Sequence, residues 1–451
     1  MSVEPAATHI SHRKIPGFPI AGRSIVLTAL LLATFLAATV AAQQPTDGAQ
    51  FARWRTEIKN ALYVPTPLPS LHTQMYGSFT PAEGVIADRV TYGTQFDMRV
   101  PAIVYHPLRT QRRLPAIIVV NGHGGDKHSW YSFYTGVLYA RAGAVVLTYD
   151  PIGEGERNEQ RKSGTREHDR AINTPHTPAR MGGLMVTDVM QAVSYLLSRP
   201  DVDPARIAVA GYSMGSFIGA LAGAVDLRIH ALVLSGGGDL DENGGYWDSS
   251  NKLMCQAGPY KALSFLPDKA AVLIALNQLR GPTYIMNGTA DTIVDIPHHM
   301  EPFFDDLRKR SAALSGTTDN LPVTYFIPNV SHRPSFVTKP AALWLEGTLH
   351  FPNWTDATIK TLPETHVSAW AVRNGIFIDR GYISEDKEGG VMALSDSVPG
   401  YTDASLNVLT DAQWKQQQSF LVYGSWMQHA LAADGITGAA AAAAVVSVKK
   451  K

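Results

Sequence analysis

The chain has 451 residues, 45% hydrophobic and 17% charged, with 39 basic and 39 acidic side chains and one cysteine, Cys255. A length prior of ~150 residues per domain gives about three domains, or one large α/β domain with extensions, and this composition excludes a disordered or coiled-coil chain. Zero formal charge gives no electrostatic reason to expect nucleic acid or an anionic membrane surface as partner, and a lone cysteine excludes an intrachain disulfide and any paired-cysteine zinc or redox motif.

Ile25–Ala42 is an 18-residue uncharged stretch preceded by Arg13, Lys14 and Arg23. Val40 and Ala42 occupy the −3 and −1 positions of a cut before Gln43. This pattern predicts a secretory signal peptide over 1–42; an uncleaved anchor is the other reading, because 18 apolar residues can just span a bilayer. Removing residues 1–42, with three basic groups and one acidic, leaves 36 and 38, a net of −2. The expected location is secreted or periplasmic, with no membrane association after cleavage.

Residues 43–84 read as an N-terminal extension packing on the following domain. Val85–Tyr92 and Met98–Tyr105 alternate as antiparallel strands. Leu114–Val120 and Ala144–Tyr149 are continuous apolar runs, which suit strands buried on both faces of a parallel sheet. Ser129–Ala142 and Met181–Ser198 have helical spacing. Arg206–Ala210, Ala231–Leu234, Pro282–Met286 and Val323–Ile327 are predicted strands, with helices at Ser216–Val225, Glu301–Leu314 and Ala341–Leu349. Alternating β and α elements over 85–350 predict an α/β fold, a doubly wound and mostly parallel sheet. Gly155–Arg180 is expected to be a polar surface loop near the mouth of the site. Gly236–Gly281, with a helix near Ala270–Leu279, is expected to form a short cap insertion. Residues 351–435 read as a C-terminal extension, with hairpin strands in Ser368–Met392 and a helix over Asp411–Ala433. Residues 436–451 form an expected disordered tail.

Gly211-Tyr212-Ser213-Met214-Gly215 falls between a strand and a helix. A turn that sharp brings the positions two before and two after the serine together, hence glycine at both, and leaves the Ser213 hydroxyl beside a helix N-terminus. Ser213 is the candidate nucleophile. The acid and base of such a serine follow it in the chain. Asp291 lies just past a buried strand in Asn287-Gly288-Thr289-Ala290-Asp291 and is preferred to Asp295. His332, in the loop leaving Val323–Ile327, is preferred to His298, His299, His350, His366 and His429. The backbone N–H of Met214 is one candidate oxyanion donor. The other comes from the loop Asn121-Gly122-His123-Gly124-Gly125, with the amide of His123 preferred and Gly124 as rival.

VVNGHGGDK, TYDPIGEGER, GYSMG, NGTAD and SHR, in this order, resemble the α/β-hydrolase superfamily, and within it the secreted acetyl-xylan-esterase and dienelactone-hydrolase-like branch. The resemblance covers roughly residues 85–350. It implies an α/β-hydrolase fold and a Ser213–Asp291–His332 triad. Many relatives have His where this chain has Asn121, and dienelactone hydrolases use Cys where this chain has Ser213, which argues against that activity. The leading expectation is a secreted serine carboxylester hydrolase acting on short-chain acyl or carbohydrate-linked esters, with a small-molecule or polysaccharide substrate, no cofactor and no metal. The alternatives are a serine peptidase or amidase of prolyl-oligopeptidase type, and a catalytically inactive binding protein.

Overall fold

All seven residues of Leu114–Val120 are buried, as are all five of Val145–Tyr149 and of Ala231–Ser235. Strands without a polar face need cover on both sides, and the rest of the chain is arranged to supply it. The computed structural model describes residues 47–170, 174–241, 245–378, 391–395, 397–438 and 440–441. The expected signal segment and most of the expected tail lie outside the described residues.

Nine strands form one sheet: β1 (Gln74–Ala82), β2 (Val85–Gly93), β3 (Arg99–Pro107), β4 (Leu114–Val120), β5 (Val145–Tyr149), β6 (Val202–Tyr212), β7 (Ala231–Ser235), β8 (Thr283–Gly288) and β9 (Val323–Ile327). Their order is β1-β2-β3-β5-β4-β6-β7-β8-β9. β1, β2, β3 and β5 pair antiparallel, and every pair from β5 to β9 is parallel. β1 is absent from the predicted strands. It is an edge strand with irregular register against β2 and mostly exposed residues, so it carries no apolar alternation to read.

The main helices are α1 (Gly48–Ala61), α2 (Trp130–Ala142), α3 (Thr177–Ser198), α4 (Met214–Val225), α5 (Lys269–Arg280), α6 (Glu301–Ser315), α7 (Lys339–Leu349), α8 (Val367–Asn374) and α9 (Tyr423–Ala433). One core layer joins Phe51, Trp54 and Ile58 of α1 to α3, α4, α5 and α9. The other packs α2 and α7 together with side chains of residues 351–422. Residues 44–451 form one compact unit, and its C-terminal part therefore walls both faces of the sheet. Among the described residues, no helix is long and apolar enough to cross a membrane.

Three expectations need correction. Lys269–Arg280 is not part of a cap. It is the crossover helix between β7 and β8, packed against α4 and α6, and only short helical turns at Tyr246–Ser249, Leu253–Ala257 and Gly258–Lys261 form the insertion. Among the described residues, the stretch from Ser368 begins as a helix rather than as a hairpin strand. Glu364–His366 pairs with Met392–Leu394, and the chain between them starts with α8, where Trp370 is buried and donates to the Val398 carbonyl at 2.9 Å. The expected helix over Asp411–Ala433 breaks at Leu421-Val422, because the two halves bury their apolar residues in opposite layers.

Candidate active site

Every parallel strand ends at the same edge of the sheet, so the loops after β4, β6, β8 and β9 converge there. Ser213 sits between β6 and α4 with φ 54° and ψ −120°. An L-residue pays about 1–3 kcal/mol for such a conformation and keeps it only where its surroundings enforce it. Glycine is what permits the turn. A Cβ on Gly211 would lie 2.2 Å from the Gly215 carbonyl oxygen, and one on Gly215 would lie 2.1 Å from that of Val120.

The loops after β8 and β9 deliver the other two expected residues. Ser213 Oγ donates to His332 Nε2 at 2.7 Å, and His332 Nδ1 donates to Asp291 Oδ2 at 2.7 Å. Asp291 is fully buried, and its Oδ1 accepts the backbone N–H of Ile293 at 3.0 Å. The carboxylate is thus aimed by the backbone at one end and by the imidazole at the other. Asp295, the rival acid, instead accepts from His298 Nδ1 at 2.5 Å, on an exposed stretch. His299 pairs with the buried Asp239 at 3.2 Å, and burial lifts that carboxyl to about 7. His350, His366 and His429 do not join this hydrogen-bonded chain.

The loop after β4 passes close to Ser213: a Cβ on Gly122 would stand 3.3 Å from the Ser213 Cβ. The N–H of Gly122 donates to Tyr131 Oη at 3.1 Å, and that of Gly125 to the Gly122 carbonyl at 2.8 Å. The N–H groups of His123, Gly124 and Met214 find no acceptor among the described residues. The His123 side chain is turned aside, donating from Nε2 to Asp169 Oδ1 at 2.7 Å.

Two tyrosines that the sequence reading did not single out frame these groups. Tyr131 fixes the loop through Gly122, and Tyr212 donates its hydroxyl to the His332 carbonyl at 2.9 Å while its ring lies 5.1 Å from the imidazole. Tyr212 could have been noticed as the residue before the serine; Tyr131 has no local signal.

The stretch expected to be a surface loop is exposed over most of 159–166 but buried at its start. Gly155, Glu156, Arg157 and Asn158 are buried. Lys127, just past the glycine loop, reaches Asp150 Oδ2 at 2.5 Å and Glu156 Oε2 at 3.0 Å, with all three side chains sealed from solvent. Burial would raise the Glu156 carboxyl, but Lys127, the N–H groups of Val408 and Leu409, and Arg161 hold it below its ordinary range. Arg157 pairs with Asp188 of α3 at 2.5 Å, again out of solvent.

Residues 40–235 match the model of the acetyl xylan esterase family, AXE1. A Bacillus subtilis (strain 168) protein named as a hydrolase, YtaP, is 30% identical over 146 residues, which is 30% of this chain. The match spans about half of YtaP, 47% of its length. The uncharacterized protein PA2218 of Pseudomonas aeruginosa is 26% identical over 278 residues, covering 58% of this chain and 69% of that protein. Among solved structures, methylesterase BT1017 superposes with a TM-score of 0.54 at 17% identity, covering 93% of this chain and 79% of its own. That superposition establishes a shared fold. The chain therefore has an α/β-hydrolase fold, and over residues 40–235 it resembles the acetyl xylan esterases.

Proposed function

We propose that the protein is a serine carboxylic ester hydrolase that works through an acyl-enzyme. Ser213 is the nucleophile, His332 the general base and Asp291 the residue that fixes the imidazole. The observation that carries this reading is the unbroken chain Ser213 Oγ–His332 Nε2–Asp291 Oδ2, both links at 2.7 Å. His332 takes the hydroxyl proton as Oγ attacks the ester carbonyl, and Asp291 stabilises the imidazolium that results. The N–H groups of Met214 and His123 meet the oxyanion, with the positive end of α4 behind them. His332 then returns the proton to the leaving alcohol, and a water activated by the same imidazole releases the acid.

The substrate class is short acyl or carbohydrate-linked esters, met after export directed by residues 1–42. Two facts favour it. Over residues 40–235 the chain resembles acetyl xylan esterases, and one protein that shares its fold is named a methylesterase. The polar stretch Gly155–Arg180 and the glycine-rich loop also offer no long apolar run of the kind an acyl tunnel needs.

Ser213→Ala removes only the hydroxyl, so the variant should fold and lose ester hydrolysis by several orders of magnitude, on the order of 10⁶ in the serine-protease precedent. Near-normal turnover in the folded variant would end the proposal. The substrate class is tested by kcat/KM for acetate, butyrate, octanoate and palmitate esters of one alcohol, beside a peptide anilide. Each methylene buried in an apolar pocket adds about 0.8 kcal/mol, so a lipase would climb steeply with chain length. A rise towards palmitate would make this a lipase, and preference for the anilide a peptidase.

A further inference from the structure

Beside the glycine loop lies a cluster that ester hydrolysis does not use. His123, His168, Asp169 and Cys255 each present one ligand atom, and the four atoms lie within 4.8 Å of one another. They come from three separate segments: the loop after β4, a turn at 167–169, and the π-helical turn Leu253–Ala257 of the insertion. His168 and Cys255 are fully buried, whereas Asp169 and His123 are partly open to solvent.

His168 separates this cluster from an ordinary polar contact. Its Nδ1 lies 3.0 Å from the Ile152 carbonyl oxygen. A carbonyl can only accept, so Nδ1 carries the proton and Nε2 is a bare lone pair. That nitrogen is buried and has no hydrogen-bond partner among the described residues. A histidine held by a backbone carbonyl through one nitrogen, with the other nitrogen unpartnered and the residue clustered with a thiol, an imidazole and a carboxylate, has the arrangement of a metal ligand with its supporting contact in place.

We propose that His123, His168, Asp169 and Cys255 form a site for a zinc-type divalent transition-metal ion. Two imidazoles, a thiolate and one carboxylate suit zinc or cobalt; calcium and magnesium want an oxygen cage. In a tetrahedral zinc site with ligand bonds of about 2.0–2.3 Å, neighbouring donor atoms are roughly 3.3–3.8 Å apart. The hydrogen bond between His123 Nε2 and Asp169 Oδ1, now 2.7 Å, opens by about half an ångström or slightly more to admit the ion. The His123 proton moves to Nδ1, and the Cys255 thiol gives up its proton to solvent as its sulfur binds. Lys252, 3.2 Å from the second Asp169 oxygen, keeps that oxygen occupied and leaves Oδ1 for the metal. Binding ties the insertion to the loop that carries the His123 N–H.

The test is direct metal binding by the purified full chain, so it is independent of ester hydrolysis. Chelator-treated protein is titrated with Co²⁺ and then with Zn²⁺. We expect one equivalent of Co²⁺ to produce the visible bands of a tetrahedral ion and a thiolate-to-cobalt charge-transfer band in the near ultraviolet, both erased by equimolar Zn²⁺. Cys255 is the only cysteine, so that band has one source. Cys255→Ser should abolish the band and weaken Zn²⁺ binding at least about 100-fold, the upper range for disturbing even a supporting contact. His168→Ala should weaken it comparably, with circular dichroism reporting whether each variant is folded. The proposal is overturned by the absence of a saturable 1:1 complex in the wild-type chain, by binding without the thiolate band, or by unchanged affinity in folded Cys255→Ser.

Discussion

Lys127→Met isolates the buried charge cluster that holds the glycine loop against the chain after β5. Methionine keeps the length of the lysine stem and deletes only the cation. In the wild type Lys127 lies 2.5 Å from Asp150 and 3.0 Å from Glu156, with no side chain of the three exposed. At an effective dielectric of ~20, each contact near 3 Å is worth roughly 5 kcal/mol of attraction before desolvation. Breaking a buried ionic group by removing one partner costs about 3–5 kcal/mol, because the charges left behind have nowhere to go. Asp150 loses its ion-pair partner, while Glu156 keeps Arg161 and two backbone amides, so about 4–5 kcal/mol applies. The unit spans residues 44–451; at about 2.1 cal/mol/K per residue, 4–5 kcal/mol lowers Tm by roughly 5 °C. The sign of the pH dependence follows from the carboxylates. Burial already pushes Asp150 up against the pull of Lys127, and without that cation the pair must hold a proton that the unfolded chain releases. A native state that binds more protons than the unfolded one loses stability as pH rises. The deficit should therefore be larger at pH 8 than at pH 5.5, measured by calorimetry on both proteins in the same buffers. A Tm within about 1 °C of wild type at pH 8, or a deficit that does not change with pH, would refute the assignment of a charged, load-sharing cluster.

Asp291→Asn should cut kcat by about 10⁴ with little change in Tm, since the amide favours the wrong imidazole tautomer; steady-state kinetics on an acetate ester decides it. Tyr131→Phe strands the buried Gly122 N–H, a cost of about 1–3 kcal/mol, and should lower both Tm and kcat, read by thermal melts and turnover. Asp88 stands at about 2 against an ordinary 3.8: burial would raise it, but hydrogen bonds from His106, Ser78 and Arg199 outweigh that effect. Its contribution is complete above the ordinary value and lost as pH falls towards 2. Asp88→Asn should cost about 1 kcal/mol at pH 6, allowing for solvent screening, with the Tm gap to wild type closing below pH 4.

The parts that could be read from the chain are those with a local cause. β4 and β5 are apolar at every position because both faces are covered. The GYSMG turn needs its two glycines because backbone oxygens sit where a Cβ would go. Asp291 and His332 are candidates from the chain alone because Asp291 follows a buried strand and His332 the edge strand β9, and both strands end at the same sheet edge. What escaped has non-local causes. Lys127, Asp150 and Glu156 look like surface charges until the fold brings them together. Within the extension read as packing on the following domain, the helix α1 is not among the predicted elements, although it buries Phe51, Trp54 and Ile58. The break at Leu421-Val422 has no proline or glycine to announce it; the chain changes there from one core layer to the other.

That change of layer has a consequence for how the molecule can come apart. The Tyr134 hydroxyl is capped by the carbonyl of Leu394, Glu156 receives the amides of Val408 and Leu409, and Arg89 holds the carbonyls of Ser405 and Asn407. Further on, α9 closes the opposite side with Trp426, Met427 and Leu431. The described residues from Leu394 to Leu431 act as a buckle fastened on both sides of one plate. A cut after α7 leaves apolar walls bare on each side and the buried Glu156 carboxylate without the Val408 and Leu409 amides. The residues that hold Ser213, Asp291 and His332 are therefore not a transferable module. We expect whatever loosens that end to loosen the arrangement of Ser213, Asp291 and His332 with it.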